Sequence, residues 1–207
     1  MTLTGKILIV LSTLLFMLFL ENFLHILPYL ADSVFRARGS TALENSVRVR
    51  RDRDIVALIF LIPLFLIVYY YRLYAPDFLE QFSADVAFWL TTGVVVLFLV
   101  LRFLLTLWFA PRRRRDNYMD AYRAGFTFFI LMMILVLPTV GLLSVFKAGP
   151  TAFRWVILSE IIVLYGLYLF RRAQILSSSC SNLTTFLYLC ALEFLPSGLL
   201  VVSAVVL

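Results

Sequence analysis

Phe186-Leu187-Tyr188-Leu189-Cys190-Ala191-Leu192-Glu193-Phe194-Leu195-Pro196 opens the last apolar run of the chain, which extends over 186–207. A carboxylate, Glu193, stands inside it, with a thiol, Cys190, just before and a proline, Pro196, just after. A run of this length crosses a bilayer as a helix, because ~20 apolar residues rising ~1.5 Å each match a hydrocarbon core of ~30 Å. An acid held in hydrocarbon is costly and calls for a partner or a task. The rest of the chain is therefore read for the cation that could reach Glu193.

The 207 residues are 63% hydrophobic and only 14% charged. Soluble domains are about half apolar and about a quarter charged. The excess lies in long blocks, near 7–30, 55–71, 86–110, 124–146, 153–170 and 186–207. This predicts an all-α bundle of six transmembrane helices forming one integral-membrane domain over 1–207. The count is five if the first segment lies at the interface or is cleaved. A cleaved signal peptide fits poorly, since no small-x-small site follows the apolar core. The polar stretch 32–54 reads as a loop around Gly39-Ser40-Thr41, followed by a short surface helix over 42–53.

Net charge is +6, and the basic residues fall between the apolar blocks. Juxtamembrane arginines of this kind follow from the positive-inside bias and attraction to anionic lipid, a better account than nucleic-acid binding. Thirteen Lys and Arg fall in the first, third and fifth linkers, Arg171 and Arg172 among them, against four on the other side. That asymmetry places the odd linkers in the cytoplasm and both termini outside. The run Arg112-Arg113-Arg114-Arg115 reads first as a topology signal, and alternatively as a patch for anionic lipid or a partner's acidic face. Trp89, Trp108 and Trp155 fall near span ends, as an interfacial belt requires.

Arg102 lies eight residues before the cytoplasmic end of the third span, and Glu193 seven residues into the sixth from the same side. Both sit ~10–12 Å below that face, so an ion pair is allowed. Glu21 and His25, four apart, share a face of the first span's cytoplasmic half. Glu193, Arg102, Glu21 and His25, with Cys190 beside them, are expected to form one intramembrane polar cluster, with Glu160 elsewhere. As a functional site it would use Glu193 as carrier or base, His25 as shuttle and Arg102 as counter-ion. As interhelical glue it would hold helix register at ~0.6–2 kcal/mol per contact. Alternatively, Arg102 snorkels to the surface. Pro63, Pro138 and Pro196 are read as static kinks, with hinges as the alternative. Helical Cys180 and Cys190 would stand ~15 Å apart, too far for a disulfide. With one histidine and two cysteines, no metal or cofactor is expected. The serine-rich segment 177–182 matches no nucleophile motif and reads as a turn.

The segment from Tyr188 to Pro196 resembles the terminal signature, Tyr-x-Cys-x-Leu-Glu-hydrophobic-x-Pro, of a family of bacterial inner-membrane proteins from the Bacteroidota with no assigned function. Tyr188, Cys190, Glu193 and Pro196 are the positions it marks. Elsewhere the likeness is one of pattern, with Arg51-Asp52-Arg53-Asp54 entering a span and four further spans after it. The first span lies outside the matched part. The resemblance implies the inner membrane of a bacterium and carries no activity.

These readings converge on a non-enzymatic integral inner-membrane protein, a subunit or assembly partner of an envelope complex. Its expected contacts are membrane lipid, anionic lipid included, and another membrane protein, with no nucleic acid. A small-solute or proton-coupled transporter using Glu193, Arg102, Glu21 and His25 is the first alternative. An intramembrane enzyme acting on lipid is the second.

Overall fold

The computed structural model describes residues 3–35, 46–74, 76–109, 115–147, 149–177 and 182–206. Eight α-helices carry the described chain: α1 (Leu3–Leu18), α2 (Leu20–Phe35), α3 (Val47–Tyr70), α4 (Ala84–Phe109), α5 (Arg115–Val145), α6 (Pro150–Ser177), α7 (Asn182–Leu189) and α8 (Leu195–Val206). A short 3-10 turn, Asp77–Gln81, precedes α4, and a π-helical turn, Cys190–Phe194, joins α7 to α8.

Five stretches are long and apolar enough to cross a membrane: Val47–Tyr70, Ala84–Trp108, Tyr122–Val145, Pro150–Ser177 and Leu183–Ala204. The count reaches six if the bent α1–α2 pair is taken as one broken span. Large apolar side chains cover the outside of the bundle, as lipid contact requires; Trp108 is 87% exposed and Val145 78%. The protein is a multi-pass helical membrane bundle.

Helix α3 is central, with α1, α2, α4 and α5 against it. Helix α6 packs on α5 and α7, and α8 closes on α4. The apolar core runs through Ile26, Val56, Phe60, Ile67, Ile130, Met133 and Ile157. Lipid is as apolar as these side chains, so close packing and polar contacts hold the helices together here. Phe16, Phe23 and Phe60 form an aromatic triangle, centroids 5.4–6.1 Å apart, that fixes α1 and α2 on α3. At the opposite end from the arginine-rich linkers, Thr4 donates to Asp85 (3.1 Å) and Tyr69 to the Ala84 carbonyl (2.8 Å).

Three boundaries differ from the sequence expectation. The first segment is not one straight span: it bends by 72° at Phe19, and α2 continues through Pro28 to Phe35. The second span begins at Val47, and the expected surface helix over 42–53 supplies, in its second half, the first turns of α3. Residues 36–45 lie outside the described chain. Ser46 caps α3 at the Val49 amide, and Asp52 and Arg53 enter the bundle, 7% and 0% exposed. The fifth span runs on to Ser177, so Arg171 and Arg172 are helical rather than linker residues. Pro63 and Pro138 sit within continuous helices. Arg112–Arg114 and Cys180 lie outside the described residues, and Arg115 is described only as the first residue of α5.

Candidate intramembrane ionic centre

Glu193 is 1% exposed and collects groups from two helices, α4 and α6. Arg102 of α4 reaches its Oε1 with Nη2 at 2.7 Å. Tyr168 of α6 donates its hydroxyl to the same oxygen at 2.7 Å. Arg172, one turn further along α6 and also 1% exposed, pairs with that oxygen through Nη1. The Tyr168 hydroxyl in turn accepts from Arg172 Nη1 at 2.6 Å and from Arg102 Nη2. Both guanidiniums lie over its ring, at 5.0 Å and 6.0 Å from the centroid. Tyr165 stands 3.4 Å from Glu193 Oε2 and from its main-chain carbonyl, and pairs with Ser197 of α8 at 2.8 Å.

Local sequence explains these placements. Tyr165, Tyr168 and Arg172 follow one another at three and four residues and therefore share a face of α6. Pro196 has no amide hydrogen, and its ring crowds the carbonyl four residues back, that of Leu192. At this point the helix widens into a π turn, in which the Leu195 amide bonds to the Cys190 carbonyl. That turn presents Glu193 inward and leaves its carbonyl within reach of Tyr165. Across the site, α5 approaches at Gly125. A Cβ there would meet Tyr168 at 3.6 Å and Arg102 Nη2 at 3.8 Å.

The expected single cluster is divided in two. Arg102 and Glu193 meet. His25 instead pairs with Asp52 (Nδ1 to Oδ2, 2.7 Å), whose other oxygen accepts from Asn22 at 2.9 Å. This second group fastens α2 to the start of α3. Glu21, four residues before His25, is exposed and contributes to neither group. Cys190 is a half-buried free thiol. Tyr188 is half-buried on α7 and Pro196 is buried. Glu160 stands apart, accepting from Thr139 at 2.7 Å. Sequence reading missed Arg172, Tyr168 and Tyr165, because Arg171-Arg172 resembled the end of a span. Their three-and-four spacing on an otherwise apolar helix was the available signal.

Chemically, Oε1 of Glu193 is crowded by two guanidiniums and a phenol of its own chain. This suits a fastening between helices better than a base or a proton carrier. Among the described residues, two cations face one anion there, an excess of positive charge. Among the described residues, no three His, Cys, Asp or Glu side chains are grouped to hold a metal.

No curated protein and no solved structure matches the chain. The model of a family described as a domain of unknown function, DUF4271, matches residues 6–203, which brings in the first segment that the terminal motif left out, and the chain belongs to that family.

Proposed function

We propose that the protein is a non-enzymatic subunit or assembly partner of a larger complex in the bacterial inner membrane. The observation that carries this reading is the closed coordination of Glu193. The one acid buried in the ionic centre is engaged by Arg102, Arg172 and Tyr168, and so serves to position α4, α6 and α8. Buried polar contacts of this kind fix which helices meet, and thereby which outer face is offered to a neighbour. The second group, Asn22, His25 and Asp52, does the same for α2. The arginine balance of the linkers favours an orientation with both termini in the periplasm, and Arg112–Arg115 toward anionic lipid. The Tyr188–Pro196 signature is the ground for a Bacteroidota origin.

Affinity purification from native membranes in mild detergent, followed by mass spectrometry, tests the proposal. A membrane protein recovered at fixed stoichiometry, and lost when Glu193→Gln loosens the α4–α6–α8 arrangement, is the expected result. A chain that purifies alone, crosslinks to no neighbour in cells, and shows uptake of a solute that Glu193→Gln abolishes would replace this reading with transport.

A further inference from the structure

Arg172 uses only one of its nitrogens on the ionic centre. Nη1 meets Glu193 and the Tyr168 hydroxyl. Nε and Nη2 are buried and have no hydrogen-bond partner among the described residues. These two nitrogens form one edge of the guanidinium, the parallel N–H fork that matches two oxygens of a carboxylate or phosphate. An unsatisfied buried donor is costly, more so when it belongs to a charged group. Two such donors on one edge, in a side chain 1% exposed, are the strongest unmet hydrogen-bonding demand among the described residues.

Charge points the same way. Arg102 and Arg172 face a single carboxylate, and Arg102 Nε is also buried without a partner. Buried charges are ordinarily paired one to one, and among the described residues these two cations share one anion. Thr185 is 6% exposed, its hydroxyl has no partner among the described residues, and it lies near the start of α7, the helix packed on α6. Arg172 is near the end of α6 and Thr185 near the beginning of α7, so both lie close to the same end of the bundle.

We propose that the Nε/Nη2 edge of Arg172 is a binding site for a phosphate oxyanion. Arg172 grips two oxygens of the anion, and its charge together with that of Arg102 offsets the anion's. The phosphate belongs either to a phospholipid headgroup or to a free soluble phosphate. The site is independent of whether the chain is a subunit.

The test uses the full chain, in detergent for inorganic phosphate and in nanodiscs for lipid. Inorganic phosphate is titrated against sulfate-free, phosphate-free protein, with the unfolding midpoint and bound stoichiometry as readouts. In parallel, nanodiscs of phosphatidylcholine with or without phosphatidylglycerol are compared, and retained lipid is counted by native mass spectrometry. Expected is one bound phosphate or one retained phosphatidylglycerol per chain; whichever arm responds names the source. Arg172→Lys keeps a cation beside Glu193 but removes the fork, and should weaken that binding by at least about tenfold. Arg102→Leu keeps the fork and leaves Arg172 paired with Glu193, but it removes the second positive charge and should weaken binding by about tenfold. Failure of both arms with the wild-type chain overturns the site. So does unchanged binding by a folded Arg172→Lys, or, where that variant does not fold, unchanged binding in Arg102→Leu. A chain with no partner protein leaves this result untouched, so the two readings fail separately.

Discussion

Replacing Glu193 by leucine should damage the bundle far more than replacing Arg102 by leucine, although both break the same 2.7 Å contact. The argument is one of charge counting. Two unit charges 4 Å apart interact by roughly 4 kcal/mol at the effective dielectric of about 20 that reproduces protein data. Glu193 makes two such attractions, to Arg102 and to Arg172. Its removal loses both and leaves two guanidiniums facing each other across the Tyr168 hydroxyl. Removal of Arg102 loses one attraction and also relieves the repulsion from Arg172, two terms of similar size and opposite sign. Breaking a buried pair so that a charge is stranded typically costs ~3–5 kcal/mol. Glu193→Leu is placed at or above that range. Arg102→Leu leaves Arg172 and Glu193 neutral together, and should cost about 1–2 kcal/mol, mainly hydrogen bonds. The triple replacement Glu193→Leu, Arg102→Leu, Arg172→Leu should recover most of the loss. Reversible unfolding in mixed micelles by denaturing detergent measures all three. If Arg102→Leu proves as costly as Glu193→Leu, Arg172 does not neutralise Glu193 and the account of the centre is wrong.

Two further outcomes follow from packing. Gly125→Ala should be tolerated within about 0.5 kcal/mol, because its Cβ falls at ordinary contact distance from Tyr168 and Arg102, whereas Gly125→Leu should cost several-fold more by driving into the Tyr168 ring; the same detergent unfolding assay reads both. Asp52→Leu removes the acceptor of Asn22 and His25, so α2 should show about tenfold faster hydrogen exchange, while α6 keeps its protection; equal loss of protection in both helices would refute a link confined to α2 and α3.

The sequence revealed the parts governed by composition and depth. Apolar blocks gave a membrane bundle, and counting residues from the span ends brought Arg102 and Glu193 to one level. It failed where a charged residue was read as the end of a helix. Arg53 and Arg172 look like linker arginines because an unpaired arginine in hydrocarbon is so costly. Arg172 enters the bundle opposite Glu193, and Arg53 enters with its guanidinium over the Phe126 ring of α5 while it pairs with the adjacent, half-exposed Asp54. A partner from another helix is a tertiary fact that hydropathy along one segment does not contain. Depth alone groups His25 with Glu193, whereas its partner, Asp52, belongs to the polar stretch that hydropathy puts outside the membrane. The break at Phe19 had no local signal, since neither glycine nor proline stands at the bend.

The π turn at Cys190–Phe194 has two possible causes, and their sizes can be compared. Pro196 disfavours an α-helical bond to the Leu192 carbonyl, and the contacts of Glu193 hold the widened turn from the other side. Restoring the amide at 196 gains one hydrogen bond, ~1 kcal/mol. Narrowing the turn would swing Glu193 by about 100°, one residue of helical rotation, away from Arg102 and Arg172. That costs several kcal/mol by the estimate above, so the ionic centre prevails. Pro196→Ala alone should therefore keep the wide turn and shift stability by no more than about 1 kcal/mol. Pro196→Ala combined with Glu193→Leu should let the segment become a continuous α-helix, turning α8 relative to α7. Tyr74 and Ser203, whose hydroxyls lie 3.3 Å apart, report that turn. With Cys180 and Cys190 replaced by serine, a short bifunctional thiol reagent should bridge Tyr74→Cys and Ser203→Cys in the otherwise unaltered chain. The bridge should persist with Pro196→Ala and be lost in the double replacement. Loss with Pro196→Ala alone would make the proline the cause of the turn and Glu193 its beneficiary, reversing the order of dependence argued here.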